Sequence, residues 1–199
     1  MLAGRSVLAR RVRLLAAVGL LVLLSAIAGL ASHAQPREHI VVDSSYANVD
    51  AQGLKRAADA VVVVEFLGHT KMFWNSSDNK PWEPEIGNGI RAWIYRDDQF
   101  RVLRTLYGNA PGAEVVVRGI GGTVDNVTMD YDGQVDWQEG ETYLLFLRLD
   151  NTPFENGWER VWTVVWTGHG SFKHISNGWQ NETKTVDLAD ASLDALMTR

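Results

Sequence analysis

Glu141-Thr142-Tyr143-Leu144-Leu145-Phe146-Leu147-Arg148-Leu149 is the stretch that decides the fold. Successive side chains of a strand point to opposite faces. Here both faces are apolar, Tyr143, Leu145 and Leu147 on one and Leu144 and Phe146 on the other. A strand of that kind is central and covered on both sides. Working outward, Val61 to Leu67 is rich in β-branched residues and reads as a strand. Ile90 to Tyr107 reads as one long strand, or two with a bulge at Asp97-Asp98. Glu114 to Arg118, Trp158 to Thr167 and Ser171 to Ile175 complete the set, separated by Gly108–Gly112, Gly119–Gly122 and Gly168-His169-Gly170. Asp50 is placed to cap a short helix over Ala51 to Ala58, and from Asp187 onward Ala189, Leu193, Leu196 and Met197 fall on one helical stripe.

Several strands with glycine-rich turns and flanking helices predict a mainly β fold, a small barrel or sandwich preceded by a short helix and closed by a C-terminal one. Strand alternation names Val62, Val64, Phe66, Phe100, Val102, Val117, Leu145 and Leu147 as core candidates. Ala58-Asp59-Ala60-Val61-Val62-Val63, Phe100-Arg101-Val102, Tyr107-Gly108, Val115-Val116-Val117 and Gly140–Phe146 follow one another in an order that resembles the netrin-like domains related to tissue inhibitors of metalloproteinases. They resemble equally a set of exported bacterial proteins on the same pattern. The resemblance covers about residues 57–149 and implies a fold, a small antiparallel OB-like barrel, and, at most, a protein-inhibitor role. The inhibitors' cysteine chelation of zinc has no counterpart here, because the chain has no cysteine.

The first thirty-four residues differ in kind. Arg5, Arg10, Arg11 and Arg13 precede an eighteen-residue apolar run, Leu14 to Ala31, and then Ser32-His33-Ala34, a small-x-Ala pattern. An apolar leader helix, as a cleaved signal or as a retained membrane anchor, follows from this, and the remainder is expected outside the cytoplasmic membrane. The expected organisation is therefore 1–34 leader, 35–56 extended entry segment and short helix, and 57–199 a single β domain. Residues 35–199 hold fifteen basic and twenty-four acidic side chains, a net charge of −9. That sign argues against nucleic acid as a partner. An envelope polymer, peptide or protein is the expected one, with the membrane reached only through an uncleaved leader.

Among residues that carry chemistry, Gly119–Thr123 lacks the following helix and the lysine of a phosphate loop, and reads as a turn. Asp130, Asp132 and Asp136 have the oxygen density calcium takes but not its full loop pattern. His69, His169 and His174 have weak spacing for zinc. No cofactor is implied. Glu83 and Glu85, or Glu139 and Glu141, offer carboxylate pairs for a hydrolase, while Ser171 lacks the nucleophile-elbow motif. The eight tryptophans stand out. Trp74 and Trp82 fall in a polar loop from His69 to Gly89, and Trp158, Trp162 and Trp166 recur at even spacing. Either these five form an aromatic binding surface, or they belong to the core. A binding module is the preferred function, with a carboxylate hydrolase as its competitor.

Overall fold

The computed structural model describes residues 38–42, 49–82, 92–109, 112–184 and 186–197. The leader and its expected helix lie outside them, and among the described residues no helix is long and apolar enough to cross a membrane. The fold is mainly β with two helices. In chain order the elements are β1 (Glu38–Val42), α1 (Ala51–Ala57), β2 (Ala60–Trp74), β3 (Ile94–Gly108), β4 (Glu114–Ile120), β5 (Gly122–Val124), β6 (Val127–Tyr131), β7 (Thr142–Phe154), β8 (Gly157–Val164), a 3-10 turn (Thr167–Gly170), β9 (Ser171–Ile175), β10 (Gly178–Asn181), β11 (Asp187–Leu188) and α2 (Asp190–Met197).

The stretch around Leu145 is central for a reason visible in its pairing. Residues 142–147 of β7 pair with β2 on one edge, and residues 147–154 pair with β8. Tyr143 to Leu145 also pair with β9. Because β2 pairs with β3, β3 with β4, and β4 with β8, the sheet returns on itself as a ring. The β4–β8 contact is parallel and consists of one pair, Val117 with Trp162. The sheet is thus mixed and not purely antiparallel. A second sheet, β1-β6-β5, also holds a parallel pair, β1 with β6.

All eight core candidates meet inside the ring. Val62, Val64, Phe66, Phe100, Val117, Leu145 and Leu147 are buried there, and Val102 is packed against them. Trp137 plugs this interior, edge-on to Phe100 at 5.1 Å and to Tyr143 at 4.8 Å. The outer face of β2 and β7 forms a second core, where Val61, Val63, Leu144 and Phe146 meet Leu54 of α1 and Leu193 and Leu196 of α2. Asp50 caps α1 as its sequence position requires, accepting from Gly53 N at 2.7 Å.

Two expectations need correction. The segment from His69 to Trp74 is strand, because pairing with β3 continues to Trp74–Ile94 and satisfies the backbone of those polar residues. The irregularity at Asp97-Asp98 is present, but the extra residue is Thr70 on β2, whose hydroxyl donates to Asp97 O at 3.0 Å. β3 itself runs unbroken.

Candidate functional site

Arg96-Asp97-Asp98 is a charged tripeptide at the buried end of β3, and the alternation of a strand divides it between two faces. Arg96 and Asp98 share one face. Arg96 Nε donates to both Asp98 oxygens at 3.0 and 3.1 Å, and its Nη2 donates to Val135 O at 2.9 Å. Trp137 Nε1 donates to the same carboxylate at 2.7 Å, and His69 Nδ1 lies 2.6 Å from its other oxygen. On the opposite face Arg118 forks onto Asp97 at 2.8 and 3.1 Å and reaches Glu159 at 2.5 Å. Burial works against the charge of Arg118, but the hydrogen bonds from Asp97 and Glu159 outweigh it and raise its pKa. Burial likewise pushes up the phenol of Tyr95, against the pull of Arg118; its hydroxyl donates to Pro153 O at 3.0 Å.

These charges border a cavity of about 250 Å³. β3 contributes Arg96 and Asp98, and β4 contributes Val117 to Ile120. β6 contributes Tyr131, and the connection after it Gly133, Gln134, Val135 and Trp137. β7 adds Arg148, Asp150 and Thr152, β8 adds Thr163 and Val164, and the turn beyond adds Trp166 and Thr167. A concave, largely apolar wall with a few convergent polar groups is the usual form of a small-molecule site.

One observation separates this wall from ordinary packing: the neighbouring backbone is strained. Trp166 has φ 48° and Thr167 φ 51°, a left-handed pair that includes a β-branched residue. Each such residue costs about 1–3 kcal/mol and persists only where the surroundings enforce it. The enforcement is local: Gly168 N donates to Gly133 O at 3.0 Å. Gly133 itself has φ 86°, and a Cβ there would stand 2.7 Å from Thr167 Oγ1, so only glycine allows that approach.

The sequence-selected tryptophans are dispersed. Trp74 is 4% exposed and packs with Ile94, Val124 and Met129. Trp82 is half-buried, and most of the loop after it, residues 83–91, lies outside the described residues together with Glu83 and Glu85. Trp158 is 56% exposed. Trp162 is half-buried against the ring interior. β8 ends at Val164, so Trp166 leaves the shared strand face that its spacing assigns it; it packs against the outer core beside α1 and also borders the cavity.

The other candidates are placed as follows. Asp130 contacts His39 Nε2 at 2.6 Å on the surface. Asp132 and Asp136 are exposed, and among the described residues no three acidic or histidine side chains gather at metal-binding range. Glu139 is exposed and Glu141 pairs with Lys173 at 2.5 Å. His174 stacks edge-on with Trp179, and Ser171 is buried. Gly121 and Gly122, both at positive φ, make the turn between β4 and β5. Arg96, Asp98, Arg148 and Thr167 were not legible as site residues; the available signal was the Arg-x-Asp spacing within two strands, which sets each pair on one face. Comparison with family models, with curated proteins and with solved structures gives no match.

Proposed function

We propose that the chain is an exported binding module on an OB-like barrel, and that it takes a small ligand into the cavity beneath Trp166. The carrying observation is the cavity itself, a concave and largely apolar wall set with Arg96, Asp98, Arg148 and Asp150 and bordered by two left-handed residues, Trp166 and Thr167. The ring order supports the barrel half of the reading. In chain order its strands run first, second, third, fifth, fourth and back to the first, with the third and fifth parallel. A five-stranded Greek-key ring is the OB arrangement, and OB-folds bind through the second and third strands. Here those are β3 and β4, and both line the cavity. The leader of four arginines and an apolar run supports export.

The test is a titration of the ¹⁵N-labelled full chain with a library of small polar molecules, read at the tryptophan indole N–H signals. Ligands of the cavity move Trp137 and Trp166 together and leave Trp158 in place. A library that moves Trp158 alone would return the binding surface to the exposed aromatics. One that moves no indole would remove the cavity as a site.

A further inference from the structure

Resting on the cavity reading above, we infer that the ligand is a short extended peptide with an apolar side chain, one residue of it laid along the free edge of β4 at Arg118–Ile120. The argument begins where the ring fails to close. Val117 and Trp162 are the one pair between β4 and β8, yet β4 runs on to Ile120 and β8 to Val164. In a continued ladder Val164 would stand opposite Gly119. No such pair forms, and both stretches line the cavity, Arg118 to Ile120 on one side and Thr163 with Val164 on the other. Each is paired on its other edge, with β3 and β7. Ala113 O accepts from Val102 N at 2.8 Å and Gly121 N donates to Ile94 O at 2.9 Å, so the odd-numbered residues here turn their backbone groups to β3. Strand alternation then turns those of Arg118 and Ile120 to the seam. Among the described residues, Arg118 C=O and Ile120 N–H have no strand partner there. A carbonyl followed two residues on by an N–H binds one residue of an added parallel strand through both its N–H and its C=O.

Gly119 supports the same reading independently. It sits inside β4, without the positive φ of Gly121 and Gly122, and a Cβ there would meet no atom beyond its chain neighbours closer than Arg96 O at 3.9 Å. Neither backbone conformation nor packing demands glycine at this position. A glycine inside a strand often marks the close approach of a ligand or another backbone. The wall also favours a neutral group. Arg96, Arg118 and Arg148 each hold a carboxylate, Asp98, Asp97 and Asp150 respectively. A charged ligand would enter without a free counter-charge, whereas a peptide group is neutral and asks for one donor and one acceptor. Val117, Val135, Trp137, Val164 and Trp166 offer apolar surface to a side chain beside it. The volume of about 250 Å³ equals about eight waters at ~30 Å³ each, room for one residue with its two flanking peptide groups.

The experiment titrates the ¹⁵N-labelled full chain with N-acetyl-leucine N-methylamide and with its depsipeptide, in which oxygen replaces the leucine N–H. The amide is expected to bind and to move the backbone N–H signal of Ile120 together with the Trp137 indole. The depsipeptide should bind about tenfold more weakly, because Arg118 C=O loses its donor and meets an ester oxygen. N-acetyl-leucine, which carries a carboxylate, should also bind more weakly than the amide. Gly119→Val fills the space beside the edge and should abolish binding. Its melting temperature should equal or exceed the parent's, since glycine weakens a strand interior. A depsipeptide as tight as the amide, a tighter N-acetyl-leucine, or undiminished binding to Gly119→Val would overturn the edge pairing and leave the cavity reading standing. So would failure of the amide while other library members move Trp137 and Trp166. No response to any molecule would end both readings. Should Gly119→Val fail to fold, Gly119→Ala and the depsipeptide contrast in the unmodified chain still decide.

Discussion

Two Arg-x-Asp pairs border the same cavity and are built to different specifications. Arg96 and Asp98 are 6% and 3% exposed, and every contact of Asp98 has good geometry. Arg148 and Asp150 are 41% and 38% exposed, share a single contact, and leave Arg148 Nε without a partner. A buried ion pair holds its place only when the remaining donors and acceptors are met as well. The first pair meets that condition and fixes the segment that carries Val135 and Trp137 against the ring. The second does not, and it sits beside strained backbone. The contrast separates a charge that organises the fold from one that is half-exposed and held by a single contact.

The largest expected effect comes from breaking the satisfied pair. Asp98→Ala strands the Arg96 guanidinium and the Trp137 indole N–H, and should cost about 3–5 kcal/mol in urea denaturation. Replacing both partners by apolar residues, Arg96→Met with Asp98→Leu, should recover most of that loss. A single variant that costs less than about 1 kcal/mol would mean the pair is no more than a surface salt bridge.

The strained turn comes next. Thr167→Gly removes a left-handed, β-branched position worth about 1–3 kcal/mol of strain, against about 0.5–1 kcal/mol of added freedom in the unfolded chain. The variant should therefore be more stable by about 1 kcal/mol and bind its ligand less well, as expected where strain serves function. A loss of stability would show that the turn is held for packing. Smaller again is Asp150→Asn. At nearly 40% exposure its pair with Arg148 is screened by water, and the change should stay within about 1 kcal/mol by thermal unfolding. A cost as large as that of Asp98→Ala would erase the distinction between the two pairs.

How much of this was legible in the sequence follows the same division. The apolar alternation of β7 and β2 placed Leu145, Val62 and Phe66 in one interior, because burial of apolar area is a local and strongly patterned signal. The ring closure and the cavity were not legible, since they depend on which distant strands meet: Val117 finds Trp162, and Gly133 finds Gly168. The tryptophans drew attention by their rarity, yet Trp74 serves the core of the second sheet and Trp166 owes its position to a backbone conformation that spacing does not encode. Charged residues inside a strand were the overlooked signal. An Arg and an Asp two apart on one strand face are expensive to bury unless paired, and that expense marks them.

The smallest expected effect concerns an acid without an arginine, and it tests the comparison from the other side. Burial raises the pKa of Glu182, opposed by Lys173 and Lys184 and assisted by Asp136 and Glu141. The sign is opposite to that of a paired carboxylate. Because the folded state holds the Glu182 proton more tightly than the unfolded chain does, its contribution to stability is fully present below the unfolded pKa and is lost as pH rises through the folded one. Glu182→Gln keeps the neutral shape at every pH. It should therefore match the parent protein in acid, below about pH 4, and exceed it slightly at about pH 7, where the parent must bury a charge. Paired urea titrations at the two pH values measure this as a difference that opens with rising pH. A difference that opens towards acid instead would mean that Lys173 and Lys184 dominate over burial, making Glu182 a third satisfied carboxylate in the class of Asp98.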